Sequence, residues 1–351
     1  MSHPLNGITI IELGQIIAGT YGGQVLSDLG AEVIKVETPS GDLGRIPSVA
    51  PINGESGLFL TFNRNKKSIV IDLKTEEGLE LFYELVKKAD VVIDNFRPGV
   101  LDRLKINYEI LSKINKKLIQ CSVTGYGESG EYANLPALDI IIQSITGYMA
   151  ITGEPDRPPV RTGIPLADLS GGIFSSQAIM AALYKREKTG KGSSINLSMF
   201  DGMLSLLTYL GTVWLTKGEL PIPPGSSHMY SVPWQAFKVK DGYVVIATRQ
   251  EVFWERMCDA MNIQDIKVDD TFELIASCID QVYSEEESWT QADCTKKELK
   301  DFLEQLDSKQ FKMVEKFFET MPKLSHTVKV INPNTKKECE IKLEGLQNFF
   351  V

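Results

Sequence analysis

From residue 6 to about 125, short apolar runs alternate with longer amphipathic stretches. ITIIEL (8–13), AEVIKVE (31–37), KSIVIDL (67–73), ADVVIDNF (89–96) and KLIQCSVTGYG (117–127) are rich in Val and Ile and bounded by Gly, Asn, Asp or Pro. Such runs predict strands. The clearest helix between them is TEEGLELFYELVKKAD, where Leu79, Phe82, Leu85 and Val86 share one face. Acidic residues open it and lysines close it, as the helix dipole favours. Strand alternating with helix predicts an α/β fold, a mostly parallel sheet flanked by helices.

A second helix-rich stretch runs from Leu138 to about Leu207, and WQAFKVKDGYVVIAT (234–248) reads as a hairpin turning at Lys240-Asp241-Gly242. The composition then changes. All nine arginines fall at or before Arg256, and 27 of 28 glycines at or before Gly242. The remaining residues are rich in Lys, Glu and Phe and predict a largely helical module starting between about 262 and 275. The expected division is a large domain over 1–207, part of a small domain over 208–265 and a separate helical segment over 266–351.

Composition narrows the function. A net charge of −9 argues against a nucleic-acid binder, which needs a basic face. Cys121, Cys258, Cys278, Cys294 and Cys339 show no CxxC spacing and read as reduced thiols, with no zinc site. The N-terminus lacks the basic and apolar regions of a signal peptide, and no apolar run is expected to span a membrane. A soluble cytoplasmic protein is expected, with no nucleic-acid or membrane partner.

Candidate chemistry lies at three places. The first βα turn, ELGQIIAGTYGGQVLSDLG, ends near a strand closed by Glu37, where a ribose-binding acid would stand. Its glycines do not make GxGxxG, so it reads either as a ligand-admitting helix start or as close helix–sheet packing. In DNFRPGVLDRL (94–104), Arg97 sits on a turn at a strand's carboxyl edge, with Arg103 near enough in sequence to share a phosphate. The bland reading is two solvated arginines. Asp168 opens a helix, which suits either an N-cap or a nucleophile held ionised by the helix dipole, with Ser170, Gly171 and Gly172 clearing space around it. The histidines are far apart, and neither HExxH nor GxSxG occurs.

Together these blocks resemble family III CoA-transferases, the CaiB/BaiF type. The likeness covers LNGITIIELGQIIAGTYGGQVLSDLGAEVIKVETPSGDLGR, NRNKKSIVIDLKTEEG, ADVVIDNFRPGVLDRL, TGYGESGEYANLPALDIIIQSITGYMAITGEPDRPPVRTG, ADLSGGIFSSQAIMAALYKREKTGKG and INLSMFDGMLSLL, in order over residues 5–262. The resemblance implies an interlaced homodimer that moves coenzyme A from an acyl-CoA to a small carboxylic acid, with no tightly bound cofactor. It puts the nucleophile at Asp168, CoA-site residues at Asn95, Arg97 and Arg103, and the adenine end at Ile17 and Ile71. Thr38 stands where some members carry an arginine. The family's racemases need a His before DIIIQSITG, where this chain has Ala137-Leu138.

The loop Gly225–Tyr230 is expected to shape acceptor choice. The C-terminal segment instead resembles the end of a small baseplate-hub protein of T-even-like phages. Three rivals follow: a CoA-dependent racemase, a nucleotide-binding oxidoreductase, and a phage structural or assembly protein carrying an inactive transferase segment.

Overall fold

The computed structural model describes residues 3–46, 50–260, 281–283, 288–290, 294–306, 310, 325–331 and 338–344. The chain divides into two compact units, Met1–Ala247 and Thr248–Val351.

In the first unit, β1 (Thr9–Glu12), β2 (Glu32–Glu37), β3 (Lys66–Val70), β4 (Val91–Asp94), β5 (Ile119–Thr124) and β6 (Ser193–Ser198) form a parallel sheet in the order β3-β2-β1-β4-β5-β6. Registers such as Ile10↔Val33, Ile10↔Val91 and Cys121↔Ile195 tie the strands together. Helices α1 (Ala18–Asp28), α2 (Gly57–Asn63), α3 (Glu76–Val86), α4 (Val100–Arg103), α5 (Tyr108–Ile114), α6 (Asp139–Ile145) and α7 (Leu166–Thr189) lie between successive strands. Five of the strands match the apolar runs read from the sequence. The sixth, SSINLS, was not singled out as a strand, because its serines and asparagine give no apolar alternation to read.

Both sheet faces are covered, which explains the near-continuous apolar strands. Odd positions of β4 and β5 (Val91, Ile93, Ile119, Cys121, Val123) join Ile10, Leu26 and Ile179 in one core. Val92 and Ile11 pack with Phe82, Val86, Ile106 and Leu111 in the other. In α3, Thr75 accepts the Gly78 N–H at 3.0 Å, Glu76 and Glu77 occupy the first turn, and Phe82 and Val86 are buried. Each of those two side chains contributes about 1.5–3 kcal/mol by leaving water.

After the sheet come α8 (Met199–Leu206), α9 (Tyr209–Lys217) and the expected antiparallel hairpin β7 (Trp234–Val239) and β8 (Gly242–Ala247). The second unit contains α10 (Glu251–Ala260), α11 (Lys296–Gln305) and two antiparallel pairs, β9 (Gln281–Tyr283) with β10 (Ser288–Thr290) and β11 (Ser325–Ile331) with β12 (Glu338–Glu344). The expectation of a helical tail is thus corrected: HTVKVI and ECEIKLE alternate with period two and pair as strands.

A second correction concerns α7. At 24 residues it is long and apolar enough to cross a membrane, although no such run was expected. Its glycines and serines interrupt an apolar run to the eye, but they scarcely reduce average hydropathy. Half of its most apolar window is buried, which marks a core helix. Its small residues do the packing. A Cβ on Gly172 would stand 2.8 Å from Tyr21 Cβ and 3.0 Å from the Gly22 nitrogen, and one on Gly22 would overlap Ser175 Oγ. The helices α1 and α7 therefore meet backbone to backbone. Gly172→Ala should destabilise the chain by about 1–3 kcal/mol, the usual cost of overpacking. Urea unfolding followed by near-UV circular dichroism measures it, and an unchanged midpoint would mean the helices separate freely at this contact.

Candidate active site

The strand order reverses between β1 and β4, and open α/β sheets bind ligands outside the carboxyl ends of the strands at that switch. Here the turn after β1 (Gly14–Ile17) faces the turn after β4 (Asn95–Arg97). The first turn is held by side chains from three directions. Asn95 Oδ1 accepts the Gln15 N–H at 2.8 Å, and Asn95 Nδ2 donates to the Gln15 carbonyl at 2.9 Å. Asp42 Oδ1 accepts the Ile16 N–H at 3.2 Å, and Lys35 Nζ donates to the Gly14 carbonyl at 2.6 Å. The constraint is needed because Ile16 has φ +63°, a conformation costly for a β-branched residue.

Beneath this turn lies a buried ionic cluster. Lys35, 1% exposed, pairs with Glu12 at 3.0 Å and Asp42 at 2.7 Å, and Lys66 reaches the other oxygen of Glu12 at 2.7 Å. Burial lowers the Lys66 ammonium to about 8, although Glu12 opposes the shift. Burial also works against the Lys35 charge, but Glu12 and Asp42 outweigh it and the net direction is upward. Gly23 lies against Glu12, since a Cβ there would overlap its carboxylate. The glycines of this turn therefore serve close packing, one of the two readings the sequence left open.

Glu37 closes the dinucleotide reading. It accepts from Arg45 Nε at 2.6 Å and Nη2 at 2.7 Å, from Ser68 Oγ at 2.5 Å and from the Asp42 N–H at 3.1 Å. Those bonds, led by Arg45 and opposed by burial, hold its carboxyl at about 2. All four of its lone-pair directions are used, so none remains for a ribose hydroxyl.

A cavity of 460 Å³ is lined by Gln15, Ile17, Asn95, Arg97, Arg161 and Asp168, among others. A second, of 430 Å³, is lined by Ile71, Arg103, Thr38 and Lys74, and shares Gln15 and Phe96 with the first. The structure thus brings Ile17, Asn95, Arg97 and Asp168 together and sets Ile71 and Arg103 next door. Arg97 lines the first cavity and Arg103 the second, with Phe96 in the wall of both. Asn95, expected to contact the ligand, has both ends of its amide committed to Gln15. Arg97 and Arg103 are exposed and form no ion pair among the described residues. Arg161, Lys74 and Phe96 were not singled out from the sequence, where an isolated basic or aromatic residue in a loop carries no spacing signal. The Gly225–Tyr230 loop does not line the first cavity; its Gly225 N–H donates to the Gly153 carbonyl at 2.8 Å.

Asp168 departs from expectation in three ways. It is the third residue of α7, behind the N-cap Pro165, so it is not the cap. That duty falls to Asp139 at the start of α6, whose Oδ1 accepts the Ala167 and Asp168 N–H groups at 2.8 and 3.3 Å. Asp139 is in turn oriented by Gln143 Nε2 at 2.7 Å, and Gln143 Oε1 holds the Thr162 N–H at 2.9 Å. Second, its carboxyl is not lowered: burial, with the Asp139 charge added, raises it to about 7. Third, Gly171 packs on Met199 and Val123, Gly172 packs on Tyr21, and Ser170 Oγ donates to the Ala167 carbonyl at 2.9 Å. Those three residues serve helix packing and do not clear space for the carboxylate. Among the described residues the Asp168 carboxylate has no hydrogen-bond partner. Its half-buried oxygens face the cavity. No histidine lines that cavity, and no metal-holding cluster of His, Cys, Asp or Glu occurs among the described residues.

A doubly wound sheet, a cavity at its switch point and a carboxylate beside two arginines that form no ion pair among the described residues make a site suited to an anionic substrate. The family model for CoA-transferase family III matches residues 5–316, and the chain belongs to that family. It is 42% identical over 272 residues to acetyl-CoA:oxalate CoA-transferase of Acetobacter aceti, covering 77% of this chain and 69% of the relative. It is 40% identical over 276 residues to succinate–glutarate CoA-transferase of Agrobacterium fabrum, covering 77% and 69%. A solved CAIB/BAIF family protein from Brucella suis superposes with a TM-score of 0.70 at 41% identity, covering 75% of this chain and 71% of that one. The protein is accordingly a CoA-transferase that moves coenzyme A onto a carboxylic acid.

The raised Asp168 carboxyl has a kinetic consequence. A carboxyl raised to about 7 loses its proton near neutrality, so a rate that depends on its ionised form should fall about tenfold per pH unit below about 7 and level off above it. Asp139→Asn removes one negative charge and keeps an acceptor for Ala167, so it should move that acid limb to lower pH. Initial rates against pH at fixed ionic strength, with a melting curve to check folding, decide it. A limb that stays in place would show that the Asp139 charge does not raise Asp168.

Proposed function

We propose that Asp168 is the nucleophile of this transferase. The carrying observation is its carboxylate, open to a 460 Å³ cavity and hydrogen-bonded to nothing among the described residues, with Arg97 and Arg161 on the same wall. An Asp168 oxygen adds to the thioester carbon, the C–S bond breaks, and CoA thiolate leaves a mixed anhydride. The thiolate then attacks the Asp168 acyl carbon, which releases the donor acid and leaves an aspartyl-CoA thioester. The acceptor carboxylate displaces the thiolate to give a second anhydride. Thiolate attack on the acceptor's acyl carbon forms the new acyl-CoA and regenerates Asp168. Burial favours this sequence, because a carboxylate whose pKa is raised is a stronger nucleophile once ionised, and anhydrides survive only where water is scarce.

Coenzyme A is read as lying along the two cavities, with its adenine end near Ile71 and Arg103 and its thioester near Asp168. The acyl-CoA is a substrate, and no tightly bound cofactor belongs to this reading. The relatives named for oxalate and glutarate support a dicarboxylic acceptor. Arg161 suits the second carboxylate: it lines the Asp168 cavity and forms no ion pair among the described residues. A racemase would need an imidazole where Ala137 and Leu138 line the wall.

We further propose a cytoplasmic homodimer. An apolar cavity of 430 Å³ lined by Ile145, Leu207, Trp214 and Leu220, beside the exposed Leu215, suits a protein surface in contact with a second copy. The division at 207 and 265 is likewise our reading. The family match runs on to residue 316, so the phage-like character offered for the tail concerns its far end first. Sequencing the source DNA from codon 255 through codon 351 tests whether the two parts belong to one gene.

Asp168→Asn should keep CoA binding and abolish transfer. Incubation with succinyl-CoA and then hydroxylamine should leave a hydroxamate on the peptide containing IPLADLSGG in the unsubstituted protein. Turnover without label at Asp168 would refute the mechanism. Arg97→Ala and Arg103→Ala should each weaken CoA binding by about 1–3 kcal/mol. Because the two stand in different cavities, their effects should add in the double variant. Calorimetry with CoA reads both, and strong non-additivity would mean they share one phosphate after all.

A further inference from the structure

A third cavity, of 490 Å³, opens beside the first and is separated from it by Phe96, Arg97 and Pro98. Its floor is the sheet itself. Asp94 of β4 and Gln120, Ser122 and Thr124 of β5 line it, and each is at most 5% exposed. Neighbouring Ile93, Cys121 and Val123 belong to the core on the other face, so the polar set alternates with the apolar one. Its rim carries Asp102, Glu109 and Glu128, with Tyr108 and Ser194. The single cation in the lining is Arg97.

A buried sheet face normally carries Val or Ile, and polar residues there need partners. Some have them: Ser122 Oγ donates to Asp94 Oδ2 at 2.8 Å, and the Phe96 N–H donates to Asp94 Oδ1 at 3.1 Å. Gln120 is only half satisfied. Its Nε2 donates to the Ile106 carbonyl at 3.1 Å, while Oε1 is buried and has no partner. An unpaired buried acceptor costs about 1–3 kcal/mol unless something donates to it. Burial first, then the Asp102 charge, raises the Glu128 carboxyl, and burial, opposed by Ser122 and the Phe96 N–H and aided by Glu128, raises Asp94 to about 7.

We propose that this cavity is a binding site for a small organic cation bearing an N–H-rich head, an alkylammonium or amine. The one buried side-chain atom of its lining without a partner among the described residues, Gln120 Oε1, is an acceptor, so the ligand offers a donor, and four carboxyl groups against one guanidinium favour positive charge. The ligand is organic because no metal-holding cluster is present among the described residues and the volume is that of a small-molecule site, not an ion cage. The ammonium seats against Asp94 and Gln120 Oε1 on the floor, and the rim acids surround its charge. This site stands independently of the role assigned to Asp168.

The test uses the full chain titrated with ethylammonium chloride in a calorimeter, at ionic strength held constant. Tetramethylammonium, which has the charge but no N–H, serves as the control. Saturable binding of ethylammonium, at least tenfold tighter than tetramethylammonium, is expected. Asp94→Asn and Gln120→Met should each weaken it at least tenfold, with circular dichroism to verify folding. Should either buried variant unfold, the rim change Glu128→Gln decides, with an expected loss of several-fold. No saturable heat, equal binding of the two cations, or affinity indifferent to the folded variants would overturn the proposal.

Discussion

The site depends on a cluster of two lysines and two carboxylates kept out of water under the first βα turn. Lys35, Lys66, Glu12 and Asp42 come from β2, β3, β1 and the segment after β2. Moving such charges into the interior is expensive, and their mutual attraction offsets the cost only when geometry and hydrogen bonds are complete. They are nearly complete here, because the spare donors of Lys35 and Lys66 reach the carbonyls of Gly14 and Thr20. The cluster thereby fixes the backbone that forms one wall of the first cavity, including the left-handed Ile16. Asn95 closes the arrangement from the neighbouring strand. A purely apolar cluster of the same volume would pack well and could not grip those carbonyls.

Above that foundation, the state of Asp168 is set by a partner distant in sequence. Asp139 caps α7 and, by doing so, brings a second carboxylate close to the proposed nucleophile. Capping by a serine or asparagine would satisfy the same N–H groups without the charge. The acid cap makes Asp168 harder to ionise and more basic once ionised. Gln143 and Thr162 tie the preceding loop to the same carboxylate, so the geometry and the electrostatics of Asp168 share one support.

Glycines that invite a ligand reading serve the scaffold. Gly22 and Gly172 let α1 and α7 touch, and this contact brings the start of α7, with Asp168, up to the turn carrying Ile17. The polar face of β4 and β5 is the opposite case. There polar residues take positions that apolar ones could fill, and one acceptor, Gln120 Oε1, has no partner among the described residues.

Much of this was legible in the sequence alone. Five of the strands, α3 with its acidic first turn, the β7–β8 hairpin and the placement of Arg97 on a turn all follow from local periodicity and turn chemistry, which act over a few residues. The order of motif blocks carried the family as well. The tail resisted, because Lys- and Glu-rich segments suit an exposed helix or a two-stranded ribbon about equally, and β6 resisted because serines hide its alternation. Tertiary structure decided what depends on groups brought together from afar. Asp139 and Asp168 lie 29 residues apart, Asn95 and Gln15 80, and Glu37 and Ser68 31. Whether a carboxylate is ionised, saturated or open is a sum over burial and Coulomb interactions in space, and no local pattern contains that sum.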